Sequence, residues 1–170
     1  MRLPIQPFGN VPVDIIDALA ASLSIFDMEI EIRNSISIPR DSYDTKRGQY
    51  RADALMEVCA QADADRVLGV AAVDLFAEPL NFVFGQAEVG GRAAVISIAR
   101  LAHRDRGKFN QRVAKEAIHE LGHTFGLTHC KDPKCVMSFS NSLDDTDRKG
   151  TTYCDSCLDA IPTALRPRRK

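Results

Sequence analysis

The amino-acid sequence predicts an α/β (α+β) fold in which a mainly parallel sheet carries one antiparallel strand. Two observations predict it. The apolar periodicity of residues 1–73 changes in the order βαβαβ, which favours parallel strands connected by helices. Two later strand-like segments are separated only by Gly90-Gly91, which is typical of a hairpin, so one strand of that pair runs against the rest.

The first half of the chain contains two predicted strands and one predicted helix. Residues 5–9 form a short strand that ends in a turn, and apolar residues four apart then predict a helix over residues 13–26. Residues 28–32 alternate between apolar and charged side chains, which predicts a half-buried strand. Residues 34–48 are polar and contain proline and glycine, so we expect a loop there.

The middle of the chain supplies a helix and three further strands. The helix begins at Ala52 and places Cys59 on its buried face, where we expect a core thiol rather than a reactive one. Residues 67–73 are almost continuously apolar, as in a strand that is covered on both faces. Residues 82–89 and 92–98 are the hairpin strands. At a sheet edge, such a strand could pair with an extended peptide, and an edge hairpin without a ligand is the alternative.

The composition is that of a soluble protein with one core. The chain has 170 residues, 45% of them hydrophobic, so we expect a single catalytic domain over residues 1–170 and a monomer. We place an upper lobe at about 1–129 and a C-terminal lobe at about 130–170. The net charge of −1 argues against nucleic acid and membrane partners, and the basic residues 166–170 predict a solvated tail. The absence of an apolar N-terminal stretch predicts a cytoplasmic protein with reduced thiols.

The strongest motif is H-E-x-x-H-x-x-G-x-x-H, which begins near the end of a helix predicted over residues 109–125. His119 and His123 lie one helical turn apart, about 6 Å along the axis, so both imidazoles can bind one metal ion. His129 reaches the same ion only if the helix stops and the chain turns back. Gly126 favours that turn because it accepts a positive φ. The pattern predicts a metal site with these three histidines as ligands, and a helix with core histidines is the alternative.

The three-histidine set predicts hydrolytic chemistry. Three neutral imidazoles on tetrahedral Zn²⁺ leave a fourth position for water, whose pKa falls towards about 7. Glu120 is turned about 100° from His119, which keeps it off the metal and lets it act on the zinc-bound water as general acid/base. The predicted reaction is hydrolysis of an amide or related carbonyl bond. His103 lies in a polar segment and is interpreted as a surface or structural residue.

A second cluster follows directly. Cys130, Cys135, Cys154 and Cys157 form C-x₄-C followed by C-x₂-C, and four thiolates close a tetrahedron around structural Zn²⁺. We therefore predict two zinc ions per chain, one catalytic and one structural. Two disulfides are one alternative, which the absence of a signal peptide disfavours. A redox pair of the last two cysteines is another. Because Cys130 follows His129, we expect the two sites to be energetically coupled.

The segment from His119 to Cys157 resembles the archaemetzincins, a subfamily of the metzincin zinc metallopeptidases. The resemblance covers about a quarter of the chain. It implies a metzincin-like fold with a twisted, mixed five-stranded sheet, an active-site helix and a small C-terminal lobe that bound zinc stabilises. It also implies that Phe82–Val89 is the antiparallel edge strand along the cleft and that Met137 is the Met-turn residue beneath the metal.

One position departs from the metzincin pattern. Some metzincin families carry a tyrosine two residues after the Met-turn methionine, where it ligates zinc or stabilises the oxyanion. The residue here is Phe139, so this role is empty or is filled from elsewhere, and Tyr153 is a candidate stand-in.

Together these features predict a zinc-dependent metallopeptidase that acts on peptides or proteins. The resemblance adds an expectation of aminopeptidase-like activity. One rival hypothesis is a catalytically silent, zinc-stabilised binding or adaptor protein on the same fold, which the intact Glu120 disfavours. A second rival is a zinc-ribbon nucleic-acid binder, which the near-neutral charge disfavours.

Overall fold

A central sheet organises the computed structural model, which describes residues 1–167. The strands are β1 (Arg2–Phe8), β2 (Glu29–Ile32), β3 (Tyr43–Asp44), β4 (Gln49–Arg51), β5 (Val67–Ala71), β6 (Leu75–Phe76), β7 (Gly85–Ala87) and β8 (Ala93–Ser97). The α-helices are α1 (Val13–Leu23), α2 (Ala52–Ala60), α3 (Arg106–Thr124), α4 (Leu143–Arg148) and α5 (Asp155–Ala160). Short 3₁₀ turns occupy Arg40–Ser42, Ala99–Leu101 and Thr163–Leu165.

The central sheet has five strands in the order β2-β1-β5-β8-β7, and β7 is its antiparallel edge strand. The four other strands run parallel. This arrangement confirms the mixed five-stranded sheet that the sequence predicts, with the antiparallel strand at one edge. The β7–β8 pair begins with Gly85 opposite Ile96, and the predicted Gly90-Gly91 turn joins the two strands.

Two hydrophobic cores cover the two faces of this sheet. Helices α1 and α3 pack on one face, and α2 packs on the other. Strand β5 is buried along its whole length, as its continuous apolar sequence predicts. Gly69 in β5 lets α2 approach closely, because a Cβ there would lie 2.9 Å from the buried Cys59 thiol and 3.0 Å from the Phe8 ring. Cys59 is 1% exposed, as expected for a core thiol.

The predicted loop over residues 34–48 is wrong in part. It contains a 3₁₀ turn and β3, which pairs with β4 and through it with β6 in a separate three-stranded sheet. Two-residue strands have too few residues to show a period, and the rings of Tyr43 and Tyr50 pack across the pair at 4.8 Å. The residues that follow this small sheet, from Ala77 onward, line a cleft beside α3.

Other element boundaries also differ from the sequence predictions. Strand β7 is shorter than residues 82–89, because Val83 forms a bridge with Leu75 of the small sheet instead. Strand β2 is mostly exposed rather than half-buried, and Ile32 is 49% exposed, because β2 is the other edge of the sheet. Helix α1 ends at Leu23 rather than at residue 26.

Two further findings concern the helices of the described residues and the basic tail. Among residues 1–167, no helix combines the length and the apolar character that crossing a membrane requires. In the predicted basic tail, the Arg166 guanidinium donates to the carbonyl oxygens of Ile161 and Asp159. Residues 168–170 of that tail lie outside the described residues.

Candidate metal centres

Helix α3 carries His119, Glu120 and His123 of the motif. It begins at Arg106, three residues before the predicted start, because the Asp105 side chain caps it by accepting the Lys108 N–H at 2.9 Å. His119, Glu120 and His123 are each at most 8% exposed. Their side chains therefore lie in the interior of the protein, between α3 and the segments that pack on it.

Gly126 ends this helix as the sequence predicts. Its φ is 95°, its N–H bonds the His123 carbonyl at 2.9 Å, and the Leu127 N–H bonds the Gly122 carbonyl at 3.0 Å. These two bonds form a Schellman motif, which satisfies the last carbonyls of the helix and reverses the chain. The Gly90 N–H also donates to the His123 carbonyl, at 2.8 Å, so the hairpin turn is attached to the same helix end.

The reversal brings His129 to the two helical histidines. Its ring centroid lies 5.3 Å from that of His119 and 5.0 Å from that of His123. One nitrogen from each of the three rings lies within 4.8 Å of the others. The structure thus brings together the three histidines that the sequence predicts to be ligands, whereas His103 does not join them and accepts the Asp105 N–H at 2.9 Å.

Hydrogen bonds set the tautomers of the two helical histidines. The Nδ1 atoms of His119 and His123 lie 2.8 Å from the carbonyl oxygens of Val136 and Leu127 respectively. A carbonyl only accepts, so each Nδ1 carries the proton and each Nε2 presents a lone pair. The two Nε2 atoms are 3.2 Å apart. Two facing lone pairs repel each other at this distance unless a cation lies between them.

This nitrogen arrangement fits a tetrahedral zinc ion. With Zn–N distances of about 2.05 Å, two tetrahedral ligands lie about 3.3 Å apart, close to the observed separation of the two Nε2 atoms. Burial lowers the pKa of all three imidazoles, and the neighbouring Lys149 charge lowers each further. The three rings are therefore neutral at pH 7 and free to donate electron pairs to a metal.

Glu120 lies beside the histidines but is packed against the sheet edge. A Cβ on Gly85 of β7 would lie 2.6 Å from the Glu120 Cγ and 2.7 Å from its Oε1. The carboxylate therefore occupies space that only glycine leaves free. Burial raises the pKa of Glu120 well above its usual value, the Glu116 carboxylate raises it further, and Lys149 opposes both. A buried carboxyl with a raised pKa is suited to accept and release a proton near neutral pH.

A buried ion pair behind Glu120 is not evident from the sequence. Lys149 Nζ lies 3.0 Å from Glu116 Oε1, with side chains 1% and 4% exposed, and the Thr146 hydroxyl donates to the same oxygen at 3.1 Å. Glu116 is four residues before Glu120, so helical periodicity could have placed it on the same face. No local pattern points to Lys149, which arrives after α4.

Met137 is fully buried. A Cβ at Gly122 would lie 2.4 Å from its sulfur, so the segment packs directly on the backbone of α3. The preceding Val136 supplies the carbonyl that holds His119. Met137 therefore belongs to a segment that packs on α3 and holds His119, and its place beneath the metal stays a prediction from the resemblance.

The four cysteines of the second cluster converge next to this turn. The sulfurs of Cys130 and Cys154 are 3.7 Å apart, as are those of Cys135 and Cys157. Sulfurs at about 2.05 Å would form a disulfide, whereas tetrahedral zinc with Zn–S distances of about 2.3 Å separates its sulfurs by about 3.8 Å. The geometry fits a zinc site and contradicts the disulfide alternative. The Cys130 N–H bonds the Met137 carbonyl at 2.9 Å, which connects the two clusters.

The histidines open onto a cleft of about 400 Å³. Strand β7, the segment from Ala77 to Phe84 and residues 139–141 line it together with α3. The Phe139 ring lies 5.0 Å from that of His129. Tyr153 does not replace the missing tyrosine: its hydroxyl donates to the Ile118 carbonyl at 2.7 Å, and it lines a separate cavity of about 500 Å³ on the other side of α3.

Comparisons with known proteins agree with this geometry. The model of peptidase family M54 matches residues 6–163. An archaemetzincin of Methanopyrus kandleri is 42% identical over 172 residues, which cover 98% of each chain. The crystal structure of the Archaeoglobus fulgidus archaemetzincin complexed with malonate superposes with a TM-score of 0.89 at 39% identity, covering 95% of this chain and 100% of that chain.

A zinc-dependent peptidase from Methanocorpusculum labreanum also has this fold. Its crystal structure gives a TM-score of 0.83 at 27% identity and covers 94% of this chain and 100% of that chain. The family match and the relatives extend over nearly the whole chain, well beyond the histidine and cysteine motifs. The chain therefore belongs to peptidase family M54, the archaemetzincins, and is a zinc metallopeptidase.

Proposed function

We propose that this chain hydrolyses peptide bonds with one catalytic zinc ion at His119, His123 and His129 and one structural zinc ion at the four cysteines. The observation that carries the proposal is the convergence of two facing Nε2 lone pairs and a third imidazole beside a buried glutamate, at the base of an open cleft. An electron-donor set of this kind is typical of a catalytic rather than a closed structural site.

Glu120 is the proposed general acid/base. When bound at the histidines, Zn²⁺ supplies a Lewis acid that acidifies water and polarises a carbonyl. The Glu120 carboxylate accepts the proton that the attacking water loses and passes it to the amine nitrogen of the leaving group. Its burial favours the protonated form between the two transfers. The hydrogen bonds from His119 and His123 to backbone carbonyls hold both rings in one orientation throughout.

Strand β7 is the proposed binding edge for the peptide backbone. It pairs with β8 on one side only, and its residues line the cleft. An extended peptide that adds to this edge places its backbone alongside Gly85, and therefore alongside Glu120. The proposal includes aminopeptidase-like cleavage, which the resemblance to the archaemetzincins supports. Matched peptides with free and acetylated N-termini test it, because an aminopeptidase cleaves only the free form.

The oligomeric state, the cellular location and the partners of the chain are also part of what we propose. We propose a monomeric, single-domain enzyme of residues 1–170 that works in the cytoplasm without nucleic acid or membrane partners. The net charge of −1 and the five cysteines without a disulfide among them support this reading. Size-exclusion chromatography with light scattering tests the monomer directly.

The decisive experiment compares wild type with Glu120→Ala and Glu120→Gln on a peptide library. Metal analysis first establishes two zinc ions per chain in each variant. We expect cleavage by wild type and a loss of about 100-fold or more in both variants, because a positioned general base contributes about 10²–10⁴-fold. Equal background cleavage by all three proteins would refute the peptidase mechanism and favour the adaptor hypothesis.

A further inference from the structure

The catalytic cleft exposes large apolar side chains to solvent. Leu80 is 47% exposed and Phe139 is 52% exposed, and both line the cleft. Because they are exposed within the cleft, both side chains are available to contact a ligand that binds there. The two residues come from different segments of the chain, one after the small sheet and one after Met137.

Phe139 lies next to the reacting centre. Its ring centroid is 5.0 Å from that of His129, at an interplanar angle of 58°. Because His129 is a proposed zinc ligand, a peptide bond held at the metal places a flanking side chain within reach of the Phe139 ring. The ring therefore contacts the part of the substrate closest to the cleaved bond.

The segment that carries Leu80 adds two further aromatic rings to the lining, and their contacts hold them in place. The rings of Phe82 and Phe84 pack edge to face at 5.3 Å. The Arg100 guanidinium lies 4.2 Å from the Phe82 centroid and makes two hydrogen bonds of 2.6 Å to Asp74. Its charge is thus already paired. Arg100 orients Phe82 and is not available as a partner for an acidic substrate side chain.

The cleft offers no ready partner for a charged substrate side chain. Among residues 1–167, its lining contains neither lysine nor arginine. Its two carboxylates, Glu116 and Glu120, are 3% and 5% exposed. The first is paired with Lys149, and the second is the proposed general base. A charged side chain would lose hydration here without gaining an ion pair, whereas an apolar one gains contact area.

We propose that the cleft selects peptides with a large apolar residue, aromatic or branched aliphatic, beside the cleaved bond, and that Phe139 and Leu80 determine this specificity. This inference rests on the proposed peptidase function and adds the substrate class to it. Phe139, at the position where some metzincin families carry tyrosine, thereby contacts the substrate side chain.

The first test uses peptides that differ only at the residues flanking the cleaved bond, which are Leu, Phe, Lys or Asp. We expect kcat/KM for the Leu and Phe peptides to exceed that for the Asp peptide by about tenfold or more, as apolar pockets discriminate to this extent. The Glu120→Gln variant runs in parallel. Peptides that are cleaved in a Glu120-dependent way but without preference for Leu and Phe overturn the specificity and leave the peptidase intact.

The second test changes Phe139 itself. Phe139→Lys, at an exposed position, should retain the fold and lower the Leu-to-Asp ratio of kcat/KM at least tenfold, because the new ammonium attracts the acidic side chain. Phe139→Ala should lower the ratio through loss of apolar contact alone. The matched control is Ile32→Lys, because Ile32 is 49% exposed at the opposite sheet edge. An unchanged ratio in both Phe139 variants, or an equal change in the control, overturns the assignment.

Discussion

Replacing Gly85 by alanine should disable Glu120, the proposed general base, without changing the three proposed histidine ligands. The φ of Gly85 is not positive, so its backbone tolerates alanine, and the effect comes from the added methyl group. That methyl would lie 2.6 Å from the Glu120 Cγ and 2.7 Å from its Oε1. Carbon atoms in contact prefer about 3.5–4.0 Å. The carboxylate must therefore move by about 1 Å or the strand must shift.

The expected losses follow from this overlap. A misplacement of about 1 Å costs about 100-fold in rate, so kcat should fall by about two orders of magnitude while zinc content stays unchanged. Overpacking of this kind costs about 1–3 kcal/mol of stability. Part of the cost comes from the Val95 carbonyl, which would lie 2.8 Å from the new Cβ. The contribution of Glu120 therefore has to be separated from that of the sheet.

A double-mutant cycle makes this separation. Urea unfolding is measured for wild type, Gly85→Ala, Glu120→Ala and the double variant. If Glu120 is the obstructing group, Gly85→Ala should cost about 1 kcal/mol less in the Glu120→Ala background. Gly107→Ala is the control, because its Cβ would have only the Asp105 carboxylate nearby, at 3.2 Å. Equal costs in both backgrounds, together with an unchanged kcat, would refute the role of Gly85.

Three further predictions concern the second zinc site, the α3–α4 contact and the core thiol. Cys154→Ser should weaken zinc binding at the histidines about tenfold or more, because the bond from the Cys130 N–H to the Met137 carbonyl connects the two clusters. Competition with a chelator measures this affinity, and Cys59→Ala is the control. An unchanged affinity would disprove the coupling. The Arg112 guanidinium and Lys108 hold the pKa of Asp147 well below its usual 3.8, so Asp147→Asn should destabilise the protein at pH 7. The difference should shrink as the pH falls below 3.8, because the carboxyl then binds a proton in the unfolded chain more readily than in the folded protein, which favours unfolding. Urea unfolding at pH 7 and pH 3 checks it, and an equal difference at both would contradict the ion pair. Burial raises the pKa of Cys59 to about 12, so about 1 in 10⁴ of its thiols is ionised at pH 8. After zinc removal, iodoacetamide should label the four clustered cysteines and spare Cys59 until the protein unfolds. Labelling of Cys59 in the native protein at the same rate as the others would show that it is accessible.

Local sequence patterns accounted for much of the candidate site. The turn of the chain at Gly126 follows from backbone freedom at one position, and the spacing of His119 and His123 follows from the helical period. The βαβαβ order of elements up to β5, apart from the short β3 and β4, and the Gly-Gly hairpin also follow from periodicity and turn chemistry. The weakest predictions concerned short strands. Residues 34–48 contain β3 and part of a hairpin whose pairing depends on contacts with Leu75, not on any repeat of their own.

By itself, the sequence determined the proposed set of metal ligands, the proposed general base and the family resemblance, because these depend on residue types at close spacing. The tertiary structure alone decided which groups surround them. Gly85 lies against Glu120 from 35 positions away, Lys149 pairs with Glu116 from 33 positions away, and Phe139 and Leu80 line the same cleft. The tertiary structure also shows that Tyr153 is not part of the site, because its hydroxyl donates to the Ile118 carbonyl. Such contacts join segments that are distant in sequence, and no local period encodes the space between them.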